Sequence, residues 1–156
     1  MKPNIGIADK SRDGVVAVLN ALLADEYVLY TKTRNYHWNV VGPQFNDLHK
    51  FFEAQYSEVD DIVDEVAERA RALGGNSAGT LTEFLKLTRL KEPSGQPAAS
   101  KMLANLLADH EALIRQLRAD AEIVGGKYGD SGTNDFLIGL MERHEKMAWM
   151  LRAFLE

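Results

Sequence analysis

Histidine and carboxylate are the only strong metal-ligating side chains this chain offers, because its 156 residues include no cysteine. Two of the four histidines, His37 and His49, fall in one run from Asn35 to Leu73. From Phe51 to Glu68 that run also holds seven acids, Glu53, Glu58, Asp60, Asp61, Asp64, Glu65 and Glu68, and no lysine or arginine. A solvated helix face normally interleaves opposite charges, whereas Asp60, Asp64 and Glu68 stack like charges at four-residue spacing. Each such pair costs about 0.2–0.5 kcal/mol, which a bound cation would offset.

Helical geometry sharpens this. His49 and Glu53 share a face, Asp64 and Glu68 share a face, and Glu53 and Asp64 differ by eleven residues, close to three whole turns. Both pairs therefore lie along one side of a helix. Eleven residues nevertheless span roughly 16 Å of axis, while metal–ligand bonds measure about 2.0–2.6 Å. One chain cannot bring all four groups to one ion or to a close pair of ions. Two antiparallel copies related by a two-fold axis can, with His49 and Glu53 of one facing Asp64 and Glu68 of the other, and symmetry then makes two equivalent sites. His37, at the end of the preceding helix, can join His49. Two imidazoles and three carboxylates suit iron, manganese or zinc without choosing among them.

Missing thiols also exclude disulfide scaffolds, thiolate zinc sites and thiol nucleophiles. A formal charge of −5 argues against a strongly basic nucleic-acid surface. No run of uninterrupted apolar residues approaches the ~20 needed to cross a bilayer. The first ten residues lack the apolar core of a signal peptide, so a cytoplasmic protein is expected.

The elements that position these residues are helices. Glycine and proline cluster at residues 3–14, 42–43, 74–79, 93–97 and 125–132. The stretches between them, from Val15, Gln44, Thr80, Ala98 and Thr133 onward, are mostly too long for strands. Leu103, Leu106, His110, Leu113 and Leu117 recur at helical spacing, as do Leu137, Leu140, His144, Met147 and Leu151. Pro43 suits a first helical turn, and Ser100 or Thr133 suits an N-cap. The expected architecture is four long helices, with a short one near Thr80–Lys91 bridging the second and third. The first helix is apolar over more than half its circumference, from Val15 to Tyr30, which fits either deep burial or a second face against another subunit. His110 and His144 lie on the seams of the last two helices and read as buried, satisfied side chains in preference to a second metal site. The sequence contains no Glu-x-x-His, the motif of di-iron sites inside a single bundle.

With His-Trp at 37–38, His49 twelve residues on and Asp-x-x-x-Glu at 64 and 68, the run from Asn35 to Leu73 resembles the Dps (DNA-protection-during-starvation) mini-ferritins. The closing stretch TNDFLIGL…HEKMAWMLRAFLE looks like that family's last helix, and the likeness covers nearly the whole chain. The resemblance implies an all-α, ferritin-like four-helix bundle in a single domain over residues 1–156, with residues 1–13 as a short tail. It implies a hollow shell of twelve subunits and ferroxidase centres between two-fold-related copies. There Fe(II) is oxidised, typically by hydrogen peroxide, and ferric mineral is stored in the cavity. Family ligands map onto His37, His49, Asp64 and Glu68. The fifth position, usually aspartate, is Glu53 here. Trp38 matches a tryptophan beside the centre, either an electron donor or a core anchor. Asp135, with Asp130 just before it, matches acids that line the family's iron-entry pores.

Two rival functions remain at this level: a nucleoid protein that binds DNA, and a helical assembly whose zinc or manganese site is only structural. Before the first helix the chain offers Lys2, Lys10 and Arg12 against Asp9 and Asp13, and it closes on Glu156, so direct DNA binding is doubtful.

Overall fold

The computed structural model describes residues 2–92 and 94–156; Pro93, one of the expected boundary prolines, and Met1 of the tail lie outside them. Helix α1 runs Asp9–Asn39, α2 Phe45–Ala72, α3 Leu81–Leu87, α4 Ala99–Glu122 and α5 Ser131–Ala153. Among the described residues there is no strand. α1 and α2 form one antiparallel hairpin, α4 and α5 another, and α3 packs on α1 through Phe84, whose ring stacks 4.4 Å from that of Tyr27. The two hairpins close on a core that includes Leu19, Leu29, Phe52, Ile62, Leu106, Leu113, Leu137 and Leu151. The apolar periodicity of the sequence maps onto this core.

Several boundaries differ from expectation for identifiable reasons. α1 begins at Asp9, six residues before Val15, and takes Gly14 inside the helix. Gly14 accommodates the ring of Tyr128, since a Cβ there would lie 2.3 Å from it. Arg12 draws the preceding segment onto the helix by donating to the carbonyls of Pro3 and Ile7. Pro43 sits in the turn before α2, closed by Phe45 N–H donating to the Gly42 carbonyl, and not in the first helical turn. The short helix is Leu81–Leu87, opened by a capping box in which Thr80 and Glu83 satisfy each other's backbone N–H. Neither Ser100 nor Thr133 is an N-cap: Ala98 holds that position in α4 without a side-chain cap, and Asp130 caps α5. Gly125 and Gly126 belong to a π-helical turn, Ile123–Lys127, that prolongs α4. Asn134 donates to the Ala121 carbonyl beside that turn.

α1 is long and apolar enough over an 18-residue window to meet a composition test for a membrane span, which the sequence reading did not expect. Its packing shows why it is a core helix. Asp25, Glu26 and Lys32 are buried on it, each tied to another part of the bundle: Asp25 to Arg89, Glu26 to His144 and Lys32 to Asp109. Most of its apolar side chains are covered within the chain. The side bearing Tyr27, Tyr30, Arg34 and Trp38 stays partly open.

Candidate metal centre

The last turn of α1 and the first turns of α2 meet at His37 and His49. The rings stack with centroids 3.8 Å apart and 19° between planes. His37 Nδ1 lies 2.7 Å from the His49 carbonyl oxygen, and His49 Nδ1 lies 2.8 Å from the His37 carbonyl oxygen. A carbonyl oxygen only accepts, so each Nδ1 carries the proton and donates. In the neutral imidazole this leaves the lone pair on Nε2, the form in which histidine binds metal. The reciprocal bonds also lock both rings in orientation. The short Val40–Gln44 connection makes this possible, because it turns α2 back against the end of α1. His37 is buried, and His49 is half-buried with Phe45 stacked on its other side.

The acidic run of α2 divides into two sets. Glu58 and Glu65 are both held by Arg143 of α5, at 2.6 and 2.8 Å. Glu53, Asp60, Asp61, Asp64 and Glu68 are exposed and form no ion pair among the described residues. Among the described residues no group of three or more histidines and acids converges closely enough to hold a metal ion. The chain thus brings His37 and His49 together and leaves Glu53, Asp64 and Glu68 on the surface of α2. That division matches the geometric limit set by helical rise.

Trp38 is 64% exposed, with the Arg34 guanidinium 5.4 Å from its ring, so it is not a core anchor within this chain. Asp130 is buried. It accepts from the Thr133 N–H at 3.0 Å and pairs with Arg69 at 3.3 Å, so it already serves as a cap and counter-ion. Asp135 is exposed on the second turn of α5.

His110 and His144 do approach each other, with Nδ1 atoms 2.9 Å apart and both rings fully buried. His144 Nε2 continues to Glu26 Oε1 at 2.8 Å. Burial and the neighbouring His144 hold His110 well below the ordinary histidine range. The expectation of satisfied histidines holds for His144 only, since His110 Nε2 has no partner. The sequence reading missed Glu26. Its signal was an acidic pair, Asp25-Glu26, set inside the apolar run Leu22–Tyr30. Nearby, burial raises the Asp109 carboxyl above its usual range, opposed by the Lys32 ammonium 2.5 Å away.

Residues 16–156 match the ferritin-like domain family. An uncharacterised low temperature-induced protein of Nostoc sp. is 51% identical over 154 residues, covering 98% of this chain and 86% of that one. The DNA protection during starvation protein 2 of Bacillus anthracis is 41% identical, covering 90% of this chain and 96% of that one. Among solved structures, a Dps protein from Vibrio cholerae, described as a member of a broad superfamily of ferritin-like diiron-carboxylate proteins, superposes with a TM-score of 0.93. It is 32% identical and covers 99% of this chain and 97% of that one. Dps from Thermosynechococcus elongatus gives 0.89 at 35% identity, covering 94% and 93%. The helical order, the paired histidines at the α1–α2 turn and these matches agree, and the chain belongs to the Dps family of ferritin-like mini-ferritins.

Proposed function

We propose that this protein oxidises and stores iron, with Fe(II) as substrate at centres shared by two copies. The observation that carries this reading is the reciprocal Nδ1–H bonding of His37 and His49, which leaves both Nε2 lone pairs free to bind metal. Glu53 lies one turn from His49 on the same face, and the second copy supplies Asp64 and Glu68. Carboxylates stabilise the ferric product, and imidazoles retain affinity for the ferrous substrate.

Two ferrous ions each give one electron to hydrogen peroxide. The O–O bond breaks, two hydroxides form, and two ferric ions result. Pairing the electrons at one centre avoids release of hydroxyl radical, which is how the reaction protects against oxidative damage. Ferric ions then hydrolyse and collect inside a hollow shell of twelve copies. Asp135 is our pore residue, since its exposed carboxylate is free to focus cations. Asp130 is withdrawn from that role by Arg69 and Thr133. Glu53, longer by one methylene than aspartate, still reaches from the helix, at the cost of one more rotatable bond. Trp38, adjacent to His37 in the chain and exposed, is our candidate electron donor.

Stopped-flow absorbance of ferrous protein mixed with peroxide tests this. Wild type is expected to give a fast ferric rise, and the His37→Ala/His49→Ala protein to lose at least about 10²-fold of that rate. An unchanged rate in the double variant sinks the assignment. Zinc binding that stabilises the assembly without iron turnover would leave the site structural.

A further inference from the structure

The open side of α1 carries a cation with no anion. Six arginines, Arg12, Arg69, Arg89, Arg118, Arg143 and Arg152, each hold a carboxylate within 4.0 Å. Arg34, one turn before His37, holds none among the described residues; nor do Arg71 and Arg115, but Arg71 donates to the Gly75 carbonyl and to Asn76, and Arg115 is exposed, whereas Arg34 is partly buried. Its guanidinium carbon lies 5.6, 5.4 and 5.2 Å from the ring centroids of Tyr30, Trp38 and Tyr56. Nη1 donates to the Tyr30 hydroxyl, and Nε is buried without a partner. The guanidinium has five N–H donors in a fixed fork that fits a carboxylate, and aromatic faces satisfy none of them as a carboxylate would. Tyr56 stands edge-on to His37 with centroids 5.2 Å apart, so this cage borders the histidine pair directly.

α2 has the complementary feature, since Asp60, Asp61 and Asp64 are exposed anions with no cation partner among the described residues. The two-fold pairing proposed above sets 49 against 68 and 53 against 64, so it sets 56 against 61. Arg34, stacked on Tyr56, then faces the partner's Asp61 and its neighbour one turn on, the partner's Asp64. Arginine set among tyrosine and tryptophan is also the composition typical of interface centres.

We propose that Arg34 is the counter-ion of the two-fold contact: it binds the partner's Asp61 and Asp64 and competes with metal for Asp64. The inference rests on the shared-centre reading and makes Arg34 a positioning residue that limits metal occupancy. In the metal-free assembly it holds the acidic run in place. When metal arrives, Asp64 exchanges the guanidinium for the ion while Asp61 keeps it. Trp38 closes one side of the cage and would be covered at the same contact.

The test uses the full-length protein and Zn²⁺, a redox-inert probe. Arg34→Gln is expected to raise Zn²⁺ affinity on the order of tenfold by removing a nearby positive charge, measured by calorimetric titration. The metal-free assembly of the same variant is expected to dissociate at lower denaturant in sedimentation velocity, and Arg34→Lys to fall between. A double-mutant cycle of Arg34→Gln and Asp61→Asn is expected to be non-additive in assembly stability. Arg34 and Asp61 form no ion pair within one chain, so that coupling reports contact between copies. Unchanged Zn²⁺ affinity together with additive effects in the cycle overturns the role of Arg34, provided His37→Ala/His49→Ala still abolishes binding. Zn²⁺ binding indifferent to those histidines overturns the shared centre itself.

Discussion

At the level of single residues, the chain separates two histidine pairs by what their ring nitrogens meet. His37 and His49 spend Nδ1 on backbone carbonyls and keep Nε2 available. His110 and His144 spend Nδ1 on each other in the buried core, with Glu26 as the only carboxylate bonded to them among the described residues. The same side chain is a proposed ligand in one setting and a structural liability in the other. That liability is testable. Burial keeps His110 from taking up a proton in the folded state, well below 6.5. The unfolded chain takes up that proton as pH falls below about 6.5, so stability is present above this value and is lost as pH drops. The slope is about 1.4 kcal/mol per pH unit, continuing until the folded group itself titrates. Denaturant unfolding at about pH 7.5 and about pH 5.5 checks it. His110→Asn, which keeps a group at the Nδ1 position without a titrating proton, is expected to flatten the difference. Comparing the two proteins cancels what the rest of the chain contributes.

Among the elements, α5 shows how two aspartates five residues apart come to differ, one a cap and the other the pore residue we propose. Asp130 accepts from the Thr133 backbone N–H and hydroxyl and pairs with Arg69 of α2. Asp130→Ala removes the cap and leaves Arg69 and the Thr133 N–H without their anion. It is expected to cost about 1–3 kcal/mol in denaturant unfolding, with little change in iron uptake rate beyond that loss. Asp135→Asn is expected to behave in reverse. It should leave stability within about 0.5 kcal/mol and slow ferric accumulation at limiting Fe(II), followed by absorbance. A slowed uptake in Asp130→Ala protein that is fully folded would return Asp130 to the pore.

For the whole molecule, charge and symmetry carry the argument. Each chain bears a formal −5, and twelve copies would carry about −60, a field that draws cations inward and repels phosphate. Two of the three basic residues near the N-terminus are engaged, Lys2 with Asp9 at 2.6 Å and Arg12 with the carbonyls of Pro3 and Ile7, which leaves Lys10 as the one without a partner among the described residues. Metal-free protein is therefore expected to give no gel shift with duplex DNA at moderate ionic strength, and a robust shift would restore the nucleoid reading. Sharing of the centre between copies has its own test. Glu53→Ala and Asp64→Ala proteins, each inactive alone, are expected to regain part of the ferric rise after unfolding and refolding together. Mixed contacts rebuild one intact centre out of each pair, whereas a centre within one chain would stay dead in the mixture.

Much of this protein was legible from the residues alone. Periodicity, glycine and proline placement and the spacing of His37, His49, Glu53, Asp64 and Glu68 are local properties. Helical rise alone shows that those five side chains cannot meet within one chain. Other features depended on which distant segments touch. The α1 start at Asp9 needed Arg12 to find the carbonyls of Pro3 and Ile7. Asp130 is both a cap and a counter-ion because Arg69 reaches it from sixty-one residues away. The acidic run was split by Arg143, which claims Glu58 and Glu65 and leaves the others bare. Glu26 became a core carboxylate only through His144, 118 residues on. Sequence spacing sets what a helix can present along one face. Which presented groups are neutralised, and which remain free for metal or for a second copy, is decided by long-range packing, because a charge is satisfied by whatever the fold brings within a few ångströms of it.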